Sequence, residues 1–350
     1  MDLSQILMDW YRKNQRDLPW RRTNDPYAIW LSEVILQQTR VEQGMPYWLR
    51  FMEDFPTVTD LADADEREVL RLWQGLGYYS RARNLHSAAK VIRDDYQGVF
   101  PNKYEQIRAL KGIGDYTAAA IGSIAFNLPY AVVDGNVYRF LSRIFAISTP
   151  IDSTNGKKEF SVLANELIDK SNPGIFNQAM MEFGAMLCKP SNPDCSNCPF
   201  NQYCQSYAVN AVSEYPVKSK KIKTRNRYFD FLILSDEKNT ILQKREEKDI
   251  WQGLYQFPVI ESEAKNKSKL ELANSEVAIH LKGSPHHIVK SSAIVKHVLS
   301  HQIIYAKFWW IKLENIPSMG ATDYIDIPWS QLSNYGMPQL LVKYLENEEY

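Results

Sequence analysis

Leu110-Lys111-Gly112-Ile113-Gly114-Asp115-Tyr116-Thr117 is the stretch on which the fold turns. Glycines at both ends of a three-residue turn let the backbone approach a partner closely. The turn runs into the start of a helix, where free N–H groups attract an anion. A nucleic-acid phosphate can be held this way without any reading of base sequence. Alone, G-x-G is more often an ordinary turn. The segment that follows, Pro129-Tyr130-Ala131-Val132-Val133-Asp134-Gly135-Asn136-Val137, adds to it by placing an acid at the end of an apolar run. Asp134 stands where a helix begins, so its plainest role is that of N-cap.

Helical signals surround this stretch. Asp25-Pro26 is a helix start, with Asp as cap and Pro in the first turn. Tyr27 to Val41 follows as one mostly buried helix carrying Ile29, Trp30, Val34 and Leu36. Asp63-Ala64-Asp65-Glu66 opens another, ended by Gly75 and Gly77. Leu85–Tyr96 and the small-residue segment Thr117–Phe126 are helical as well. At 350 residues the chain has room for two or three units. Its apolar and charged fractions are those of an ordinary folded protein. The N-terminus shows no secretory apolar region, and the longest small-apolar run is too short to span a bilayer, so a cytoplasmic protein is expected, with no membrane role. Lys plus Arg equals Asp plus Glu at 41 each, so global charge gives no support to nucleic-acid binding.

All four cysteines, Cys188, Cys195, Cys198 and Cys204, fall in one short stretch with the spacing C-x6-C-x2-C-x5-C. A secreted disulfide scaffold would spread them through the chain. Four thiolates in one loop suit a [4Fe–4S] cluster. Structural zinc competes, but it usually shows two C-x2-C knuckles or Cys/His pairs. Here there is one such knuckle and no nearby histidine.

Composition changes after the last cysteine. Pro216 to Arg227 carries six basic residues and no acidic one, a linker that is either a solvated tether or a phosphate contact. The strand-like segments Tyr228–Leu234, Thr240–Lys244 and Ile303–Ile311 then mark a separate α+β domain.

The turn, the V-D-G-N segment and the cysteine spacing together resemble the endonuclease III superfamily. Trp30-Leu31-Ser32-Glu33-Val34-Ile35-Leu36-Gln37-Gln38-Thr39-Arg40-Val41 and Gly75-Leu76-Gly77-Tyr78-Tyr79-Ser80-Arg81-Ala82-Arg83-Asn84-Leu85 narrow the resemblance to the MutY adenine DNA glycosylases. It covers nearly all of residues 4–210 and recurs more weakly in the tail. The implied fold is mainly α: a two-lobed helix-hairpin-helix glycosylase with a [4Fe–4S] loop, plus a C-terminal α+β Nudix-like domain. The implied divisions are a six-helix barrel at 22–127, an iron–sulfur domain from 1–21 and 128–212, a basic linker at 213–226 and a lesion-recognition domain at 227–350.

The same resemblance implies roles. Glu33 is the acid that protonates adenine and then activates water, and apolar neighbours would raise its pKa. Asp134 stabilises the sugar cation, Asn136 bonds to it and Tyr116 positions the base. Lys111, Gly112 and Gly114 hold the backbone, while Gln38 and Tyr78 wedge into the duplex from which adenine has flipped. Arg22 and Glu182 fall in segments resembling the adenine pocket, where a structural salt bridge is equally plausible for each. Leu299, Ser300 and His301 stand where the family has an F-S-H loop that meets oxidised guanine, with Leu in place of the usual Phe. The endonuclease III lyases carry a catalytic lysine at the position of Tyr116; tyrosine forms no Schiff base, so a monofunctional glycosylase is expected. Trp251-Gln252-Gly253-Leu254-Tyr255-Gln256-Phe257-Pro258 is the clearest Nudix-like match, but Asn266–Glu276 lacks the metal-binding R-E-x-x-E-E helix, so no nucleotide hydrolysis is expected. Five of the six histidines lie between His280 and His301 at irregular spacings that do not suit zinc. The expected partner is double-stranded DNA with 8-oxoguanine:A or G:A mispairs, bound by a monomer. A G:T thymine glycosylase and a non-catalytic iron–sulfur DNA-binding protein are the alternatives.

Overall fold

A computed structural model describes residues 2–219, 224–246, 248–262, 286–316 and 324–348. By internal packing the chain divides into two units, residues 1–63 with 84–221 and residues 64–83 with 222–350. The segment 64–83, which the sequence groups with 22–127, thus packs with the C-terminal part.

The first unit is helical. Its core forms where the Leu3–Asn14, Gly135–Ile144 and Pro173–Met186 helices pack together, around Leu7, Phe140, Phe176, Phe183 and Phe200. Phe183 lies 4.8 Å from Phe140 and 5.3 Å from Phe200, ring centre to ring centre, in tilted and edge-on contacts that aromatic rings prefer. The glycine of the Pro173–Met186 helix at Gly184 permits this closeness: a Cβ there would stand 2.7 Å from Asn136.

Asp25 caps its helix as the sequence indicates, accepting from the backbone N–H groups of Tyr27 and Ala28. That helix, however, stops at Ile35 rather than running to Val41. Gln38 takes a left-handed φ of 57°, and a second helix starts at Val41 and runs to Asp54. The run Gln37-Gln38-Thr39-Arg40 offers no apolar residue to bury, so continuing the helix there would gain nothing from packing. The Asp115–Phe126 helix begins two residues before the expected Thr117.

The second unit is built on eight strands among the described residues: β1 (Arg225–Ser235), β2 (Asn239–Lys244), β3 (Tyr255–Gln256), β4 (Val259–Ser262), β5 (His286–Ser291), β6 (Val295–Val298), β7 (Gln302–Leu313) and β8 (Tyr324–Pro328). The order β3-β2-β1-β7-β5 is completed by β4 on β1, β6 on β7 and β8 on β2. β1 and β7 run parallel at the centre; the other pairs are antiparallel. The three strands foreseen are β1, β2 and β7, whose long apolar runs reflect central positions. The remaining strands are short and carry more polar residues.

One apolar cluster of the sheet gathers Leu232, Leu234, Ile241, Trp309, Ile311 and Leu313. The Glu66–Leu72 helix belongs to this unit, capped by Asp65. Gln74 accepts a hydrogen bond from the Met337 N–H at 3.1 Å, and Arg83 donates to the side chain of Gln252 at 3.2 Å. The basic run does not continue as a linker through its last residues, because β1 already starts at Arg225. Before it, Val217 accepts from the Ile151 N–H and Ser219 donates to Asp152. Asn266–Glu276 and His280 lie outside the described residues. No described helix is long and apolar enough to cross a membrane.

Candidate active site

In the helical unit, Glu33, Tyr116, Asp134 and Asn136 line one cavity of about 680 Å³, within the usual range of small-molecule pockets. Glu33 comes from the third turn of the Pro26–Ile35 helix, among the buried Ile29, Trp30, Val34 and Ile35. Tyr116 comes from the first turn of the Asp115–Phe126 helix, directly after the Gly112-Ile113-Gly114 turn. Its hydroxyl donates to Glu33 Oε2 at 2.7 Å and lies 3.2 Å from Met181 Sδ.

Burial pushes the Glu33 carboxyl up to about 7. The hydrogen bond from Tyr116 opposes that rise, the charge of Asp134 adds to it, and Arg21 opposes it more weakly. One edge of Glu33 remains open to the cavity, so a proton held there is accessible to a bound molecule.

Asp134 caps the Gly135–Ile144 helix. Its Oδ1 accepts from the Asn136 and Val137 N–H groups at 2.9 and 2.8 Å, and its Oδ2 accepts from Asn136 Nδ2 at 2.7 Å. Burial raises its pKa, while these three donors and the positive charge of Arg139 favour the ionised form. The capping and chemical roles therefore coexist on one side chain. Arg139, one turn along, donates to Asn136 Oδ1 at 2.9 Å and to the Cys188 carbonyl at 2.7 Å.

Glu182 also lines the cavity and is 1% exposed. Arg16 and Arg21 grip it, with Nη2 groups at 2.7 and 2.8 Å from Oε2. Burial alone would raise its pKa; the two guanidinium groups outweigh that and hold it down at about 2. Arg22 is placed elsewhere: its side chain is exposed, its Nε donates to Asp17 at 2.7 Å, and it does not line the cavity. The short 3-10 turn Pro19–Arg21 decides which of two adjacent arginines faces inward, and nothing in the sequence distinguishes them. Gln38 stands on the same cavity's rim, in the break between helices.

Gly112 has φ +83°, and a Cβ there would stand 2.7 Å from that of Asn84. Gly114 has open space around it, and Lys111, Gly112 and Gly114 are all exposed. The turn thus offers bare backbone to solvent at the head of a helix, the arrangement a phosphate uses.

The four cysteines line a second, small cavity walled by Phe140, Ile144, Phe183 and Phe200. None is in a disulfide. Arg143, 3% exposed, donates to Cys188 Sγ at 3.4 Å and to the Lys189 carbonyl at 2.7 Å. The Phe200 N–H donates to Cys198 Sγ at 3.4 Å. Among the described residues no three His, Cys, Asp or Glu side chains converge on a single ion. Four thiols around one apolar cavity, with a buried cation and a backbone N–H aimed at sulfur, fit a multi-iron cluster better than a lone ion. Arg139 and Arg143, four apart on one helix face, were not among the sequence candidates. Buried arginines are rare enough that their i,i+4 spacing beside the capping acid was the available signal.

In the sheet unit, Leu299, Ser300 and His301 form the turn between β6 and β7, closed by a hydrogen bond from the Leu299 N–H to the Gln302 carbonyl at 2.8 Å. Leu299 is half-buried; Ser300 and His301 are exposed. Tyr78, 42% exposed and with a left-handed φ of 47°, is hydrogen-bonded to Ser300. Both residues line a cavity of about 560 Å³, together with Trp251.

Residues 31–166 match the HhH-GPD superfamily base excision DNA repair proteins, and residues 231–347 match the NUDIX domain family. The adenine DNA glycosylase of Buchnera aphidicola subsp. Acyrthosiphon pisum (strain APS) is 35% identical over 348 residues, 98% of this chain and 97% of its own. The adenine DNA glycosylase of Homo sapiens is 44% identical over 209 residues, 57% of this chain and 38% of that protein. Among solved structures, a thermostable thymine-DNA glycosylase superposes with a TM-score of 0.55 at 29% identity, over 59% of this chain and 95% of its own. A non-covalent endonuclease III–DNA complex, at 22% identity and a TM-score of 0.51 over 59% of this chain and 94% of that one, shares the fold. With a helical unit of the base-excision type, a Nudix-like sheet unit and near-full-length similarity to such enzymes, this chain belongs to the adenine DNA glycosylase family.

Proposed function

We propose that this enzyme hydrolyses the N-glycosidic bond of an adenine mispaired with 8-oxoguanine or guanine in double-stranded DNA, acting as a monomer on a flipped base. The observation that carries the reading is the shared cavity: one glutamate held near neutrality and one capped aspartate open onto a space that accommodates a nucleotide.

Breaking the bond leaves an electron-poor sugar and an electron-rich purine, so an acid and an anion are needed on either side. Glu33, half protonated near neutral pH, delivers a proton to the departing adenine. Tyr116 fixes its rotamer and holds one oxygen, leaving the other for the base. Asp134, ionised and pinned by three donors, stabilises the developing cation through charge already in place. Tyr116 stands where a lyase has its lysine, so the reaction ends at the abasic site. Gln38 and Tyr78 fill the space vacated by the adenine, Lys111, Gly112 and Gly114 hold the phosphate backbone, and Ser300 and His301, with Leu299 beside them, meet the base opposite. Glu182 contributes a buried, doubly paired wall of the base pocket.

Cys188, Cys195, Cys198 and Cys204 would hold a [4Fe–4S] cluster. When bound, it supplies a rigid node that orders the loop between residues 188 and 204. Arg143 offsets its negative charge, and Arg139 ties the loop to the helix that Asp134 caps.

The test is release of free base from duplexes carrying 8-oxoguanine:A, G:A, G:T or an oxidised pyrimidine. Adenine release from the first two, abolished by Glu33→Gln, is expected. Thymine release, or tight binding with no release, would overturn the reading. Borohydride should trap no obligatory lysine adduct.

A further inference from the structure

Arg227 ends a basic run, yet it is 6% exposed. β1 brings it into the sheet beside β7, with Arg225 opposite Gln302 and Arg227 opposite Ile304. Two carboxylates hold its guanidinium. Nε and Nη2 each donate to Glu261 of β4 at 2.6 Å, and Nη1 and Nη2 donate to Asp249 at 3.1 and 2.6 Å. These two carboxylates more than offset its single charge, and Asp249 is shared with Arg245 at 3.0 Å.

A third contact points elsewhere. Nη1 donates to the side-chain oxygen of Gln302 at 3.3 Å. Gln302 is the residue directly after His301, and its own carbonyl closes the Leu299–Gln302 turn. A second carbonyl of the turn, that of His301, accepts from the Arg225 N–H at 3.1 Å. Asp249 lines the same cavity as Ser300 and His301. One buried guanidinium therefore ties the root of an exposed turn to a second residue of the cavity lining.

We propose that Arg227 is a positioning residue for discrimination of the base opposite the excised adenine, acting through Gln302 to hold the Leu299–His301 turn in place. The proposal rests on the reading of Ser300 and His301 as contacts to that base. The chemistry explains why position matters. 8-Oxoguanine differs from guanine by an oxygen at C8 and a proton at N7, so it is told apart only by donors and acceptors at fixed places. A turn free to shift still meets a purine, but it meets both purines equally. Support of this kind is what keeps a recognition group within about 0.5 Å of its productive place.

Gln302→Leu removes the side-chain oxygen that accepts from Arg227 at 3.3 Å and from Arg225 Nε at 3.2 Å, while leaving Arg227 both carboxylates. Arg227→Met removes every contact and leaves Asp249 and Glu261 without their shared cation. In the full-length protein with its cluster, single-turnover adenine release is measured on 8-oxoguanine:A and G:A duplexes, alongside thermal unfolding. Gln302→Leu should lower the ratio of the two rates about tenfold, nearly all of it lost on the 8-oxoguanine duplex, which is about 1.4 kcal/mol of discrimination. Its G:A rate and melting temperature should hold. Adding Gln302→Leu to Ser300→Ala should lower the ratio little further. A ratio unchanged in Gln302→Leu, or both rates falling together with the melting temperature, would overturn the proposal. Equal rates of the unaltered enzyme on the two duplexes would remove the premise, and that failure shows before any variant is made.

Discussion

Replacing Glu33 by Gln should make the protein more stable in alkaline solution and leave it little changed in acid. The reason is linkage. Glu33 rises from an ordinary 4.5 to about 7 because burial penalises its charge. Between those two values the folded chain keeps a proton that the unfolded chain has released. Stability is therefore lost as pH rises through the window, and the loss is complete above about 7. The rise from 4.5 to about 7 corresponds to roughly 3 kcal/mol. The edge of Glu33 that opens to the cavity reduces this, so about 1–3 kcal/mol is expected.

Gln carries no charge at any pH, and its carbonyl still accepts from Tyr116. The readout is the melting difference between Glu33→Gln and the parent at pH 5 and at pH 8.5. Any effect of the amide itself is the same at both and cancels. For a helical unit of this size, roughly 2–4 °C per kcal/mol places the alkaline excess at several degrees. The same proton governs catalysis: single-turnover adenine release by the parent should fall about tenfold per pH unit above about 7. A melting difference that is equal at both pH values, or a release rate flat to pH 9, would refute the reasoning.

Four further outcomes follow from the geometry. Asp134→Asn should abolish adenine release while keeping the helix cap, so its melting temperature should stay close to the parent's; Asp134→Ala should lose both, the cap alone being worth about 1 kcal/mol. Tyr116→Phe removes a hydrogen bond that lowers the Glu33 pKa, so the alkaline fall in the rate profile should move to higher pH, read from the same single-turnover series. Cys198→Ala should lose the visible absorbance of an iron–sulfur cluster and melt earlier in thermal scans, whatever its activity. Glu182→Gln leaves Arg16 and Arg21 short of their shared anion and should cost about 3–5 kcal/mol in denaturant unfolding; since that carboxylate sits at about 2, the parent's share of this stability should persist down to about pH 4.5 and disappear toward pH 2.

The sequence carried the site further than the architecture. Asp134 was legible as a helix cap from its near neighbours. The chemical roles of Glu33, Tyr116 and Asp134 came with the family resemblance, since a glutamate on a helix is by itself most often a surface residue. No glycine or proline marks the break after Ile35, so the run Gln37-Gln38-Thr39-Arg40 reads as helix although it has no apolar residue to bury. Arg22 was singled out where Arg21 turns inward, since the choice is made by a single short turn. Arg227 reads from the sequence as the end of a basic linker, tether or phosphate contact, because its partners Glu261 and Gln302 lie far along the chain.

Glu33 and Glu182 show why the environment, and not the residue type, assigns the chemistry. Both are glutamates on helices, and both line one cavity. Burial pushes each of them upward. Glu182 has two arginines within 2.8 Å and is driven down to about 2, so at neutral pH it has no proton to give. Glu33 has a neutral hydroxyl as its hydrogen-bond partner and the anion of Asp134 nearby, so it is left at about 7. Only one of the pair can act as an acid at neutrality, and Arg21, one of the two arginines that disqualify the other, also supplies a positive charge that slightly restrains Glu33. Moving those arginines would therefore do more than break a salt bridge. Arg21→Met should weaken the grip on Glu182 and, by removing that restraint, lift the Glu33 ionisation seen in the rate profile. A variant that lost stability with the alkaline limb unmoved would show that the two glutamates share a cavity without sharing a field.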